Sequence, residues 1–239
     1  MTARPLDRGV VHVHTGHIDL ASGAIGELET VLSADERARA ERFSFDRDRA
    51  RWVAARAMLR QVLATYLGEA PESLAFRYGE HGKPAVDGSE LELNLSHSGA
   101  LAVLALTRGC AVGVDVEEVR PVPDAAELVD RYFRPSERRA FRAVPEPLVS
   151  ATFLRAWVRK EAVLKAMGEG IGALDSVEVT VAPESPPAIL APDSAAHWSL
   201  RDLDVSPAHI ASLAVAGPCE DVMISEWRPS TPCRLDRDG

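Results

Sequence analysis

The sequence predicts an α+β protein built as two similar α/β lobes related by a pseudo-two-fold axis, with the active cleft between them. Three observations lead there. A helical pattern at 46–67, a strand at 74–78, a loop and the segment NLSHSGALAVLALTRG recur as a helix at 151–167, a strand at 177–181, a loop and RDLDVSPAHIASLAVAG. Hydrophobic residues make up 46% of the 239-residue chain, enough for one large core or two small ones. Each half alone is small for an independent domain, so the halves are expected to pack together and leave a cleft at their junction. The expected division is a first lobe over 1–111, a second over 112–227 and a polar, frayed tail over 228–239.

The elements are justified in chain order. VVHVHTGHIDL alternates as a first strand, with His12 and His14 on one face and His17 nearby. A His-x-His pair can ligate a metal, but no carboxylate or Cys completes a site here, and an edge strand explains the alternation. Ser33 and Glu36 have the spacing of a capping box, so a short helix starts there. In the helix over 46–67, Trp52, Arg56, Leu59, Leu63 and Tyr66 share core-facing spacing, and Gly68 ends it. LAFRYGEHGKPAV reads as a strand and a tight turn at Gly82, Lys83 and Pro84. Leu91, Leu93 and Leu95 then alternate toward a turn formed by Ser96, His97, Ser98 and Gly99, followed by a return strand. Two hydroxyls, an imidazole and backbone amides at one turn suit a phosphate; taken alone, they read as an ordinary polar hairpin.

CAVGVDVEEV is an apolar strand interrupted by Asp115 and Glu117, which point to one side, while Glu118 points to the other. Converging carboxylates attract a hard cation such as Mg²⁺; an exposed acidic strand end is the plain alternative. A short helix is expected over 124–133, with a fresh start at Pro135. Arg134, Arg138, Arg139 and Arg142 against Glu137 make that second segment either a docking face for an acidic partner or a solvated basic helix. Residues 153–167, FLRAWVRKEAVLKAM, form the organising stretch. On a 3.6-residue period Leu154, Trp157, Val158, Glu161, Leu164 and Lys165 fall on one stripe, placing a carboxylate and an ammonium among core positions. A buried charge needs a partner or a metal, although an i, i+4 pair on a helix edge explains the same two residues. Gly168, Gly170 and Gly172 form a turn, VEVTV at 177–181 is a strand, and PESPPAILAPDS is a loop.

Charge and composition narrow the classes. The formal net charge of −9 argues against nucleic acid as the main partner, yet eight arginines lie between Arg37 and Arg60 against Glu41, Asp46 and Asp48. Most of these can be internal ion pairs; a subset facing a phosphate is the sharper reading. Only Lys83, Lys160 and Lys165 are lysines, two of them in the organising stretch, where a compact point charge differs from a planar fork. Cys110, Cys219 and Cys233 are too scattered for a zinc site or a disulfide framework. No signal-peptide-like or membrane-spanning apolar run occurs, so a cytoplasmic protein without membrane partners is expected.

GKP at 82–84, NLSHSG at 94–99, GVDVE at 113–117 and WVRKEAVLKA at 157–166 stand in the order and spacing of the 4′-phosphopantetheinyl transferases. The chain resembles the double-length, broad-specificity, surfactin-synthetase-activating type over roughly residues 30–215. That resemblance implies a holo-carrier-protein synthase: the 4′-phosphopantetheine arm of coenzyme A moves to a serine of an apo acyl or peptidyl carrier protein, releasing adenosine 3′,5′-bisphosphate. On the family pattern Asp115, Glu117 and Glu161 hold Mg²⁺, with Mn²⁺ as a substitute, and Glu161 is also the general base. Lys165 contacts the pyrophosphate; Ser96 and His97 bind phosphates; Lys83 and Pro84 line the adenine and 3′-phosphate end. Arg42, Arg51 and Arg56 carry over from the family's basic stretch, but Trp52 stands where some members have a small hydroxyl residue. The resemblance further implies a monomer serving secondary metabolism. An inactive coenzyme A binding module and a Mg²⁺-dependent pyrophosphate hydrolase are the alternatives from other classes.

Overall fold

A computed structural model describes residues 6–229. Cys233 and most of the expected tail lie outside the described residues. In chain order the elements are β1 (Val10–His17), α1 (Ser22–Leu28), α2 (Ala34–Ala40), α3 (Asp46–Leu67), β2 (Phe76–Tyr78), β3 (Pro84–Val86), β4 (Leu91–Ser98), β5 (Leu101–Arg108) and β6 (Val112–Glu118). They continue with α4 (Ala125–Tyr132), α5 (Pro135–Arg142), α6 (Val149–Met167), β7 (Glu178–Val179), β8 (Ile189–Ala191), β9 (Ser199–Leu203), β10 (His209–Val215) and β11 (Asp221–Glu226). The fold is α+β, with the expected long helices in place. Both helices end in a glycine of left-handed conformation, Gly68 at φ 70° and Gly168 at φ 78°, where a side chain would be strained.

The repeat is more extensive than the recurrence of helix, strand and loop suggests. One sheet has the order β11-β1-β5-β4 and the other β6-β10-β9. In each, the strand that opens the unit (β1 or β6) pairs antiparallel with the last (β5 or β10), which pairs antiparallel with the one before it. Each unit also has a long helix and a small two-stranded ribbon, β2-β3 or β7-β8, between those strands. The difference is β11, which returns from the far end of the chain to pair parallel with β1.

Strand alternation decides the layers. Odd-numbered Val11, Val13, Val103 and Ala105 of one sheet meet Val112, Val114, Val116, Ala211 and Leu213 of the other in a shared core. The opposite faces take the helices. Leu93, Leu104 and Leu106 pack with Met58, Leu59 and Leu63 of α3, and Ala214 packs with Ala162, Val163 and Leu164 of α6. Both helices are therefore buried on more than one side. This corrects the single stripe expected for 153–167: Glu161 and Lys165 are half-buried, while Arg159 and Lys160 are the fully enclosed cations.

Those enclosed cations have specific partners. Arg159 holds Asp202 through two bonds of 2.9 and 2.6 Å, and Lys160 donates to Glu137 at 2.6 Å and to the Val177 carbonyl. Glu137 also accepts from the backbone of Arg134 at 2.7 Å and Val179 at 2.9 Å, so the capping carboxylate of α5 is the clamp that receives α6. Its counterpart in the first unit is Glu36, the expected capping residue of α2, which accepts from Ser33 N at 2.9 Å and from Arg56 and Arg60 of α3. Burial alone raises the Glu36 pKa, but the Arg60 bond, the Arg56 charge and the Ser33 amide outweigh it and hold the carboxyl below its usual range.

Two expectations are corrected. Ser96, His97 and Ser98 lie within β4, and the hairpin turn is Gly99-Ala100, with Gly99 at φ 56°. The loop assigned to PESPPAILAPDS contains β8, whose pairing partner β7 is only two residues of the expected 177–181 strand. On α5, Arg138 bonds the Phe133 carbonyl and Arg134 lies 3.5 Å from Glu178, while Arg139 and Arg142 are exposed, Arg142 in a surface pair with Asp130.

Candidate active site

The site forms where β6 runs beside β4 and under α6. Gly113 permits that approach, because a Cβ there would lie 2.0 Å from the Ala162 carbonyl oxygen and 2.4 Å from the Ala166 nitrogen. With no side chain at 113, the next same-face residues, Asp115 and Glu117, point toward the Glu161 and Lys165 side of α6. The first unit reaches across with side chains. The Val114 amide donates to Asn94 Oδ1 at 2.8 Å, the Glu118 amide to Ser98 Oγ at 3.1 Å, and Lys83 Nζ to the Val112 carbonyl at 2.9 Å. Asn94, Ser98 and Lys83 thus satisfy backbone groups that a neighbouring strand would otherwise take.

Asp115 is buried at 5% exposure, and its Oδ1 accepts from Ser96 Oγ at 2.8 Å and Lys165 Nζ at 2.5 Å. Lys165 also lies 3.2 Å from Ser96 Oγ, and Glu117 accepts from Ser98 Oγ at 2.9 Å. Burial pushes the Glu161 pKa up; Lys165 opposes the rise, and the charges of Asp115 and Glu117 add to it. The three carboxylates therefore share one electrostatic neighbourhood with a single ammonium. Among the described residues, no group of three His, Cys, Asp or Glu side chains is already gathered as a metal cage.

Two adjacent cavities open from this centre. The larger, about 610 Å³, is lined by Arg39, Arg42, Trp52, Arg56 and His97 and by residues of the β2-β3 ribbon. The smaller, about 180 Å³, is lined by Lys83, Asn94 and Lys165, and shares His81, Gly82, Pro84 and Leu95 with the first. Beyond Glu117 a third cavity of about 200 Å³ is formed mainly by Val122, Leu128, Phe153, Leu154 and Trp157.

The sequence-predicted residues divide among these features. Arg42, Arg56, Pro84 and His97 line the large cavity, and Lys83, Pro84 and Lys165 the small one. Ser96 faces Asp115 and lines neither cavity. Arg51 pairs with Asp19 at 2.8 Å, and Arg56 is tied to Glu36 and the Tyr78 hydroxyl. His97 is exposed as a residue, yet desolvation lowers its pKa, and the positive charges of Lys165 and Arg51 lower it further against the pull of Asp115. His81, Arg39 and Asn94 were missed as site residues. Arg39 stacks over Trp52 at 5.6 Å, so the bulky ring that departs from the family pattern is a wall of the cavity. Its position in the Arg-rich run was the available signal; His81 and Asn94 carried none apart from the motifs beside them.

An α+β chain with a carboxylate-lysine centre beside arginine-lined cavities is matched along both of its units by family models. Residues 25–108 match the 4′-phosphopantetheinyl transferase N-terminal family and residues 111–216 the 4′-phosphopantetheinyl transferase superfamily. The chain is 37% identical to the 4′-phosphopantetheinyl transferase HetI of a Nostoc species, covering 87% of this chain and 88% of that protein. It is 29% identical to the 4′-phosphopantetheinyl transferase psf-1 of Bacillus pumilus, over 81% of this chain and 83% of that one. With AcpT of Salmonella typhi, also named a 4′-phosphopantetheinyl transferase, it shares 37% identity over 56% of this chain and 66% of that one. The chain belongs to the 4′-phosphopantetheinyl transferase superfamily, a family of enzymes. No helix among the described residues is long and apolar enough to cross a membrane.

Proposed function

We propose that this enzyme transfers the 4′-phosphopantetheine arm of coenzyme A to a serine of apo acyl or peptidyl carrier proteins, with Mg²⁺, releasing adenosine 3′,5′-bisphosphate. The observation that carries this reading is the junction of β6 and α6, where Asp115, Glu117, Glu161 and Lys165 converge next to the arginine-lined cavity. Coenzyme A is long and polyanionic at one end. Arg42 and Arg39 line the large cavity for its nucleotide, Lys83 and Lys165 line the small one for the pyrophosphate, and the cavity beyond Glu117, where Arg120 and Asp124 join an apolar wall, suits the neutral, amide-containing arm.

The donor set fits a hard cation: three carboxylates come from a strand and a helix, and the charges of Asp115 and Glu117 raise the affinity of Glu161 for positive charge while Lys165 offsets it. Asp115, Glu117 and Glu161 would hold it, and bound Mg²⁺ or Mn²⁺ would neutralise the pyrophosphate. The remaining roles belong to side chains. Glu161, with its affinity for protons raised, accepts the proton of the carrier serine directly or through a water as the serine oxygen attacks the β-phosphorus. That attack forms the serine–phosphorus bond and breaks the bond to the bridging oxygen, which leaves on the adenosine 3′,5′-bisphosphate. Lys165, oriented by Asp115 and Ser96, stabilises negative charge developing on the leaving phosphate.

The two units are read as lobes of a monomeric pseudo-dimer, divided near residue 111, and the enzyme is read as cytoplasmic. Intact mass spectrometry of an apo carrier incubated with coenzyme A and Mg²⁺ tests the reaction. Wild type should add one phosphopantetheine; Glu161→Gln, or wild type with a chelator, should not. Coenzyme A binding without a mass gain on fatty-acid, polyketide or peptide carriers would point to an inactive binding module. Pyrophosphate cleavage without any carrier would point to a hydrolase.

A further inference from the structure

The β2-β3 ribbon belongs by sequence to the first unit, yet its tip lies against the second. His81 Nδ1 donates to the carbonyl of Gly168, the residue that ends α6, at 3.0 Å. The same ring covers Gly170, where an added Cβ would lie 2.8 Å from His81 Cδ2. Because His81, Gly82 and Pro84 line both the large and the small cavity, a ligand occupying the two passes beneath this tip.

Arg56 stacks on Phe76 at the base of the ribbon at 4.6 Å and donates to the hydroxyl of Tyr78, which precedes the turn, while Lys83, at the end of the turn, reaches the Val112 carbonyl. At the tip the turn is closed by Gly79 N to Lys83 O and Gly82 N to Gly79 O, both at 2.9 Å. The end of the turn is joined to the second unit by Lys83 Nζ on the Val112 carbonyl at 2.9 Å, and its apex by the solvent-exposed His81–Gly168 hydrogen bond and a ring resting on a glycine. A turn whose flanks are anchored and whose apex is held by one exposed hydrogen bond is the kind of element that opens locally at its apex without unfolding the rest.

We propose that His81 is a positioning residue whose clasp on Gly168 and Gly170 closes the β2-β3 ribbon over the junction of the two cavities and slows escape of bound coenzyme A. The ligand in that statement rests on the transfer reading above; the closure itself does not.

A double-mutant cycle tests it, because the two partners predict a specific non-additivity. In Gly170→Ala the new methyl group must push the His81 ring aside, whereas in a His81→Ala background it meets no ring. Two quantities are read for wild type, both single variants and the double variant: hydrogen exchange of ribbon peptides spanning Gly79 and Gly82, and the dissociation rate of coenzyme A by stopped flow. Each single variant should exchange faster at the tip and release coenzyme A about 3- to 10-fold faster, the range of one exposed hydrogen bond, with the thermal midpoint unchanged. The double variant should match His81→Ala. Additive effects, an unchanged release rate in coenzyme-A-binding variants, or unchanged tip exchange would overturn the clasp. If wild type binds no coenzyme A while tip exchange follows the cycle, the transfer reading fails and the closure stands.

Discussion

The junction of β1 with α3 and the junction of β6 with α6 occupy the same place in the two units and are filled in opposite ways. On β1, His12 Nδ1 and His14 Nε2 both meet the Tyr66 hydroxyl, at 2.6 and 2.9 Å, and Ser225 of β11 bonds His14 Nδ1 at 2.9 Å. On β6, two carboxylates likewise separated by one residue face Glu161 and Lys165 of α6. Desolvation, with help from His12, lowers the His14 pKa to about 4, and desolvation raises Tyr66 to about 12, so these two groups are neutral across the physiological range. β11 makes β1 an interior strand, whereas β6 remains at the edge of its hydrogen-bonded sheet. The same scaffold position thus supports structure where a strand covers it and a charged centre where the edge stays open beside a cavity.

The sharpest way to break the comparison is to neutralise one charge at the second junction. Glu161→Gln should lower the turnover number for carrier modification by about 10²- to 10⁴-fold, the usual contribution of a positioned general base, with little change in the urea midpoint. Mass-detected single turnovers and urea titrations read the two quantities separately. A variant that transfers at the wild-type rate would make Glu161 an ordinary helix-edge acid. Next come the two buried capping glutamates. Glu137→Gln leaves the fully enclosed Lys160 without its anion, and Glu36→Gln does the same to Arg56 and Arg60. Each should cost about 3–5 kcal/mol of stability by urea unfolding. Equal losses would support corresponding clamps in the two units; loss in only one would separate them.

Local signals account for what the sequence made legible. Gly68 and Gly168 marked the ends of both long helices, and period-two spacing put Asp115 and Glu117 on one side, where they are found. The glycine in GVDVE was legible as part of a motif, but its reason, contact with the α6 backbone, depends on packing. What stayed hidden depends on partners distant in sequence. Lys160 finds Glu137 and Arg159 finds Asp202 only after α6 is docked, so neither could be told from a surface cation by periodicity. Ser96 was assigned to a turn because polar residues clustered there. It is a strand residue whose hydroxyl serves Asp115, and the turn begins one residue after Ser98.

The His12-His14-Tyr66 cluster should also respond to acid. With its folded pKa near 4 and an unfolded value of 6.5, His14 takes up protons more readily in the unfolded chain between those limits. Its contribution to stability is therefore complete above about pH 6.5 and is lost as pH falls toward about 4, by on the order of 2–3 kcal/mol. Urea midpoints measured from pH 7 to pH 4 should show that slope, and His14→Gln should flatten it. An unchanged slope in the variant would assign the acid response elsewhere and weaken the view of this junction as a structural network.

The smallest expected effect isolates the role of the shared hydroxyl. Tyr66→Phe keeps the ring in the α3 core and removes the oxygen on which His12 and His14 converge. Two imidazole nitrogens must then find other partners in a half-closed space, at a cost of about 1–2 kcal/mol. Because this network lies on the covered junction, carrier modification per folded molecule should remain within about twofold of wild type, since surplus stability does not enter the transition-state balance. A loss of turnover comparable to that of Glu161→Gln would mean that the two junctions are coupled through the sheets they share. The covered cluster would then be part of the catalytic apparatus, and the contrast between a structural and a chemical junction would fail.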